Sequence, residues 1–474
     1  MVELHLNLVG RRELAGQIYR QIRDRILANE LRAGATVPST RELSGRLGVS
    51  RNTVAVAYDR LVAEGFLTSR TGVGTTVNGV PPSARVAADP PSAPLRARAA
   101  WDLIPEFDDL SAAAPAYDFR AGIPDAGEFP YAAWRRLVSD ELRPRAVGRG
   151  AHITPAGLLP LREALARHVA VSRGVRARVE DLIVTSGIQQ AADLTAKVLL
   201  EPGDTVAVED PGYDPPRLLF EAAGARVVGV PVDGEGLVVD ALPDDARLVY
   251  VTPSHQFPLG MAMSPTRRTA LLQWAERVGA VIVEDDYDSE FRYAGRPLEP
   301  LHSLDPNGRV IYAASFSKVL LPTLRLGFLV VPPTLGAAFR KAKQLTDWHT
   351  AVPLQSALAR FVDDGSLARH IRRMRRLYAE RHHTMRETLW REFDGLLEPV
   401  PAMAGLHLSA TIAAGGPMDT GVVARAKDAG VGIDSLSRFA IRERRNGLLI
   451  GYGGIPVNHI ADGLRLLRQC LPVP

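Results

Sequence analysis

Val310-Ile311-Tyr312-Ala313-Ala314-Ser315-Phe316-Ser317-Lys318 is an unbroken apolar run that ends in small hydroxyls and an amine. Five consecutive apolar residues with no turn signal read as a strand buried on both faces. The chain has 57 basic side chains, yet only Lys197, Lys318, Lys341, Lys343 and Lys427 are lysines. Arginine stays protonated and cannot form a Schiff base. A lysine at the end of a buried strand, with serines beside it, suits capture of an aldehyde cofactor. The plain alternative is a surface lysine near a strand end, and the neighbouring motifs decide between the two.

Outward from Lys318 the same pattern repeats. Apolar strands are expected at 182–185, 205–209, 248–252, 281–285, 310–314 and 328–331, with helices at 189–200 and 265–278. Such alternation predicts an α/β fold, with a mostly parallel sheet covered on both faces. Ligands of these sheets bind where strands end. Thr185-Ser186-Gly187-Ile188-Gln189-Gln190 follows one strand and opens a helix, which makes an anion site of backbone N–H groups. It lacks the Gly-Lys-Ser/Thr of a P-loop. Glu209-Asp210-Pro211-Gly212-Tyr213 presents a ring from a tight turn, and Glu284-Asp285-Asp286-Tyr287 ends a strand in carboxylates and a phenol. Arg325 lies seven residues beyond Lys318. Singly, each acid or tyrosine is an ordinary loop residue. Together they supply an amine for an aldehyde, a carboxylate for a pyridinium nitrogen, a phenol for a ring oxygen, a flat ring for stacking and a phosphate cradle. That set specifies pyridoxal 5′-phosphate.

At 474 residues the chain is expected to hold two to three domains. Its 46% hydrophobic and 23% charged content is globular. No apolar run approaches the roughly 18 residues of a membrane span, and the N-terminus does not read as a secretory signal. Cys470 is the sole cysteine, so no internal disulfide forms. Without clustered cysteine and histidine, no metal is expected. These features point to a cytoplasmic, nucleoid-associated protein with no membrane partner. The net charge is +4, and all of that excess lies in residues 1–80, which hold 11 arginines against 7 acids. A small basic module on a neutral large one is the expected footprint of a polyanion partner.

That module, residues 1–78, has Ile18, Ile22 and Ile26 on one helical face. Ser39 is expected to cap a second helix, with Glu42 closing a capping box. Gly48-Val49-Ser50 makes a tight turn, and Ser50 caps a third helix opening on Arg51, Asn52 and Thr53. This is a helix-turn-helix, and arginine and asparagine pair bidentately with base edges. Residues 64–70 and 75–77 form a hairpin wing around Gly72 and Gly74, where Arg70 is placed to meet phosphate. Residues 79–117, rich in Pro and Ala, read as a linker, although Leu103, Ile104 and Phe107 are apolar enough to dock. Residues 118–474 then form the large module, which the resemblance given below implies is an effector and dimerisation domain.

Val37-Pro38-Ser39-Thr40-Arg41-Glu42-Leu43, Gly48 through Val54, Leu61 through Leu67 and the Gly72/Gly74 wing resemble the winged helix-turn-helix of GntR-family bacterial regulators. The resemblance implies that Arg41, Arg51, Asn52 and Thr53 contact double-stranded promoter DNA. From about residue 117 onward the chain resembles fold-type I aminotransferases, with a smaller C-terminal subdomain. The two modules joined resemble the MocR/GabR family of pyridoxal-phosphate-dependent transcription regulators. The joining motifs are Asp118 through Asp125, Phe129-Pro130, Trp134, Glu209 through Tyr213, Thr252 through Gly260, Glu284 through Phe291 and Ser315 through Gly327.

This resemblance implies Lys318 as the Schiff-base lysine, Asp285 on the ring nitrogen, Tyr287 on the phenolic oxygen and Tyr213 stacked on the ring. Gly187, Ile188, Gln189, Ser315, Ser317 and Arg325 would hold the phosphate, in a head-to-tail homodimer. Three departures stand out. Phe257-Pro258-Leu259-Gly260 lacks the asparagine that touches the ring oxygen. His152 stands where a tyrosine reaches the partner subunit's phosphate. The Arg-x-Asn-Phe that grips a substrate carboxylate reads Leu449-Ile450-Gly451-Tyr452, and Arg438 is the candidate substitute for effector binding. The expected function is a regulator that senses pyridoxal phosphate, or an amino acid or amine forming an aldimine with it. The rivals are an active aminotransferase with an appended DNA-binding domain, and a DNA-binding protein whose large domain is a cofactor-free relic.

Overall fold

The computed structural model describes every residue except 1–3, 11, 71–73, 79–95, 107–113, 145–151, 294–297, 443 and 472–474, and the side chain of Leu103. Gly72 and Phe107 therefore lie outside the described residues. The chain divides into two compact units, Met1–Ala97 and Arg98–Pro474.

In the first unit the helix Leu14–Leu27 buries Ile18, Ile22 and Ile26 completely, as their four-residue spacing predicts. Helices Thr40–Leu47 and Arg51–Ala63 follow. Ser39 Oγ accepts from Glu42 N at 3.2 Å, and Ser50 Oγ accepts from Thr53 N at 3.1 Å. Each cap satisfies one orphan donor of its helix. The expected capping box closes on one side only: the Glu42 carboxylate pairs forward with Arg46, one helical turn on. Gly48 ends the second helix at φ 63°, a conformation that favours glycine and makes the tight turn possible. The wing strands Leu67–Arg70 and Gly74–Val77 pair antiparallel. A third strand, Thr36–Val37, pairs with the second. Two residues carry too little periodicity to be read from sequence.

The second unit is built on an eight-stranded sheet. Its strands lie in the order Leu182–Thr185, Gly327–Val330, Val310–Ser315, Val281–Asp286, Ala246–Val251, Thr205–Asp210, Arg226–Asp233, Gly236–Leu237. Gly327–Val330 and Gly236–Leu237 run against the other six. The inner strands are buried along most of their length, the pattern of a sheet covered on both faces. Ile188–Leu199, Asp214–Ala222 and Pro265–Val278 are among the covering helices.

Register carries the consequence for function. Ser315 stands opposite Gly327, and Gly327 opposite Thr185. The Ser186-Gly187 turn and the Ser315–Lys318 segment, 130 residues apart, are thereby neighbours. A smaller subdomain carries an antiparallel sheet of Leu397–Pro399, His407–Ile412, Gly447–Gly451 and Asp434–Ser435. The 27-residue helix Ser366–Glu392 and the helix Val457–Gln469 belong to the same C-terminal region.

The expected linker is shorter in the structure. Residues from Arg98 onward belong to the large unit: Ala99–Leu103 is a 3₁₀ turn, and an Arg98 guanidinium N–H donates to the Ala222 carbonyl. Tyr117–Asp118 pairs in parallel with Val431–Gly432. Proline content marks the break but does not locate its end, because docking is decided by tertiary contact. Removing one cap oxygen, Ser50→Ala, should cost the first unit about 1 kcal/mol of stability, measurable as an earlier unfolding transition of that unit in the full chain.

Candidate cofactor site and DNA-contacting face

Five strand ends meet at the carboxyl edge of the sheet. Lys318 is half-buried, and its Nζ donates to the Gly122 carbonyl at 2.7 Å. Gly122 has φ +79°, and a Cβ there would lie 2.6 Å from Nζ, so the amine occupies space that only glycine leaves open. Burial pushes the ammonium below the ordinary lysine range, with Asp288 and Asp285 opposing that shift. A neutral amine is the nucleophilic form.

Asp285 ends its strand fully inside. The Tyr250 hydroxyl donates to its Oδ2 at 2.5 Å, while Oδ1 is buried with no partner among the described residues. Burial pushes this carboxyl up to about 7; Tyr250 and Lys318 draw it down, and the Asp286 and Asp288 carboxylates push it further up. A buried acceptor lone pair without a donor is costly, and such sites commonly serve a ligand. The next residue, Asp286, points elsewhere: its Oδ2 accepts from Arg173 Nε and the Tyr312 hydroxyl, both at 2.6 Å. Glu284 accepts from the N–H groups of Leu301 and His302. Of three adjacent carboxylates, two serve the scaffold and Asp285 alone faces Lys318.

Tyr213 and Tyr287 gather around Phe257, whose ring centroid lies 5.4 and 6.3 Å from theirs. Phe439 and His407 complete this aromatic wall at 5.0 and 5.4 Å. The Tyr287 hydroxyl lies 2.9 Å from His255 Nδ1. Beside the wall, Gly187 precedes the 12-residue helix Ile188–Leu199 at φ +82°. The Arg325 guanidinium crosses this turn, donating to the Ser186 carbonyl at 2.6 Å. A Cβ on Gly187 would stand 3.0 Å from Arg325 Nη2. The start of this helix and the Arg325 guanidinium thus meet at one turn, an arrangement of N–H dipoles and fixed positive charge that favours an anion. The Gln189 side chain is turned aside to the Pro215 carbonyl, so only its backbone can serve.

Several contributors escaped the sequence reading. Gln190 Oε1 accepts from both Ser186 N and the fully buried Lys343, which also pairs with Asp347, so this turn rests on an internal ion pair. The scarcity of lysine was the signal that could have flagged Lys343. Tyr250 looks like one more apolar strand residue, and only pairing of its strand beside Val281–Asp286 brings its hydroxyl to Asp285.

Two expected residues stand apart within one chain. His152 is exposed, stacked on Trp348 at 4.5 Å and 3.3 Å from His349 Nε2. Arg438 pairs with Asp434 at 3.4 Å and Asp214 at 3.9 Å. Asp434 Oδ2 in turn accepts from Ala121 N, beside the Gly122 carbonyl that holds Lys318. At the missing substrate clamp, Leu449 and Tyr452 are fully buried, and a Cβ on Gly451 would lie 2.4 Å from the Arg120 carbonyl oxygen. The arginine's own place is taken by Leu449, an apolar side chain packed inside the sheet.

On the first unit Arg41, Arg51, Asn52 and Arg70 are exposed, and Gly74 sits at the wing with φ +105°. Arg51 Nε reaches Thr40 Oγ1 at 3.3 Å, tying the two helices at their starts. Ser39, Ser50 and Thr53 are engaged in capping, Ser50 and Thr53 also through their hydroxyls at 2.8 Å. Arg46 and Arg60 are paired with Glu42 and Glu64.

Two results are expected at Lys318. Reductive trapping of an added aldehyde on it should rise with pH through a midpoint below the ordinary lysine range, read by mass spectrometry of the labelled peptide. Gly122→Ala should cut that trapping sharply, because the new methyl takes the place of the amine.

Residues 14–77 match the family model for bacterial regulatory proteins of the gntR family, and residues 125–405 match aminotransferase class I and II. A probable rhizopine catabolism regulatory protein, MocR, from Rhizobium meliloti is 39% identical over 96% of this chain and 92% of its own length. The pyridoxine biosynthesis transcriptional regulator PdxR of Corynebacterium glutamicum is 33% identical over 95% of this chain and 93% of its own. The crystal structure of Pyrococcus horikoshii kynurenine aminotransferase, at 30% identity, superimposes with a TM-score of 0.70 over 76% of this chain and 91% of that one. No helix among the described residues is long and apolar enough to cross a membrane. With a GntR-type head, an aminotransferase body and relatives that span both, the chain belongs to the family of bacterial helix-turn-helix transcription regulators that carry an aminotransferase class I and II domain.

Proposed function

We propose that this regulator holds pyridoxal 5′-phosphate at Lys318 and that occupancy of the pocket sets its affinity for promoter DNA. The observation that carries the reading is the unpartnered, buried Oδ1 of Asp285 facing the same cleft as the Lys318 amine. A pyridinium N–H supplies the donor this oxygen lacks, and holds the carboxylate ionised against the cost of burial. Tyr213 would serve the ring face, Tyr287 the phenolic oxygen, and Gly187, Ile188, Gln189, Ser315, Ser317 and Arg325 would hold the phosphate. When bound, the cofactor supplies an aldehyde that condenses with amines and a ring that accepts electron density. The chain's own groups orient it: Asp285 fixes the nitrogen edge, and the helix start and Arg325 fix the phosphate edge.

Ordinary transamination is disfavoured by Leu449 in place of the clamping arginine, because substrate orientation supplies much of the rate. An amino compound would then act as a signal, with Arg438, beside the Ala121-Gly122 segment, as the group that meets its carboxylate. A ligand changes promoter binding only through differential affinity for two arrangements of the protein. The reading includes a cytoplasmic head-to-tail homodimer, in which His152 reaches the partner's phosphate.

The test is footprinting of the upstream region with and without pyridoxal phosphate, for the wild type and Lys318→Ala. Identical footprints in all four cases would reject the regulatory role of the cofactor. Arg70→Ala should weaken DNA binding about equally on all sequences, whereas Arg51→Ala should also lower discrimination, by about 1–3 kcal/mol at the base pair it reads. Asp285→Asn should weaken cofactor binding roughly 10- to 100-fold, the worth of one charged hydrogen bond. Since the free carboxyl titrates at about 7 and the bound ring favours its ionised form, cofactor affinity should decline as pH falls below that value. The Asn variant should flatten that dependence.

A further inference from the structure

A buried polar chain runs behind Tyr287. Its hydroxyl oxygen lies 2.9 Å from His255 Nδ1, and the same nitrogen lies 3.0 and 3.1 Å from the two Asp288 carboxylate oxygens. His255 and Asp288 are each only 1% exposed. An ionised carboxylate only accepts, so the nitrogen facing it carries the proton. The Tyr287 oxygen, sharing that N–H, is an acceptor on its inner side. Its own proton is left to point away from His255, to the side where Phe257 and Asp285 stand.

The imidazole sits in a slot shaped for it. A Cβ on Gly405, at φ +86°, would lie 2.0 Å from His255 Cε1 and 2.4 Å from Nδ1, and a Cβ on Gly260 would lie 3.3 Å from Nε2. The Gly405 backbone is pinned in turn, since its carbonyl accepts from the Tyr293 and Tyr452 hydroxyls. His407 packs on the other side at 4.8 Å, its own Nε2 on the Pro258 carbonyl at 3.1 Å. His255 Nε2 is buried with no partner among the described residues. The ring therefore carries an unpaired polar atom while presenting Nδ1 to Asp288 and Tyr287 at once.

We propose that His255, clamped by Asp288, is a positioning residue that turns the Tyr287 hydroxyl outward as a hydrogen-bond donor to the phenolic oxygen of the bound pyridoxal ring. The device restores on one side of the ring what Phe257 cannot donate on the other. It rests on the reading that the cofactor binds at Lys318.

The experiment compares purified holoproteins: wild type, Tyr287→Phe, His255→Gln, the double variant and Asp288→Asn. The readouts are the dissociation constant for pyridoxal phosphate and the ratio of the long- to the short-wavelength absorption bands of the bound cofactor. Each single variant should weaken binding roughly 10-fold, the scale of one hydrogen bond to a charged group, and shift the band ratio in one common direction. The double variant should be no worse than Tyr287→Phe alone, because His255 acts only through Tyr287. Asp288→Asn carries the same comparison if His255→Gln does not fold. Additive losses in the double variant would overturn the proposal. So would a wild-type spectrum and affinity in His255→Gln while Lys318→Ala abolishes the bound-cofactor band, an outcome that leaves the cofactor reading standing. A band unaffected by Lys318→Ala would remove both. A stoichiometric metal ion on His255, Asp288 and His407, whose ligand atoms lie within 4.8 Å of one another, would also overturn it, since Nδ1 would no longer serve Tyr287.

Discussion

The contact between Lys318 Nζ and the Gly122 carbonyl is the constraint on which the site depends. It holds a buried amine at the carboxyl edge of the sheet, where no surface lysine would be short of water. Desolvation favours the neutral, nucleophilic amine, and the carbonyl accepts from one of its N–H groups. Gly122 belongs to the segment from Phe119 to Asp125, which is strapped to the C-terminal region along its length. Phe119 N donates to Gly432, Gly451 N donates to Phe119, Ala121 N donates to Asp434, and Asp125 pairs with Arg381. The large sheet presents the amine, and the small subdomain holds the group that restrains it.

The carboxylates show how one sequence motif divides its labour. Glu284, Asp285 and Asp286 alternate along a strand, so Glu284 and Asp286 share one face and Asp285 stands on the other. Glu284 ties down the backbone at Leu301 and His302, and Asp286 is matched to Arg173 and Tyr312. Asp285 takes one donor, the Tyr250 hydroxyl, and of the three it is the one that faces Lys318. Burying three acids in succession is costly unless each finds a partner. Each has at least one, while one oxygen each of Asp285 and Asp286 has no partner among the described residues. Behind Tyr287 the same economy recurs, with Asp288 fixing an imidazole and the imidazole fixing a phenol.

Loss of the substrate clamp is structural as well as chemical. Leu449, which stands where the guanidinium would, lies fully buried in the packed sheet. The apolar side chain at Leu449 offers no guanidinium to orient an amino-acid carboxylate at that place.

Local chemistry determined a good part of this protein from sequence. The isoleucine spacing, the two serine caps and the apolar strand runs are short-range signals, and each element formed within a residue or two of its expected bounds. The rarity of lysine singled out Lys318, and the order of motifs on strand ends indicated the cofactor. Tertiary structure decided what depends on register and on space. Strand pairing put Tyr250 against Asp285 and brought Ser315 and Thr185 to either side of Gly327. Close backbone approach made Gly122, Gly405 and Gly451 matter, although as letters they resemble any other glycine. Folding also joined His255 to Tyr287 and Asp288 across more than thirty residues. A side chain's partner across a sheet is set by the topology of the whole chain, and no window of sequence contains it.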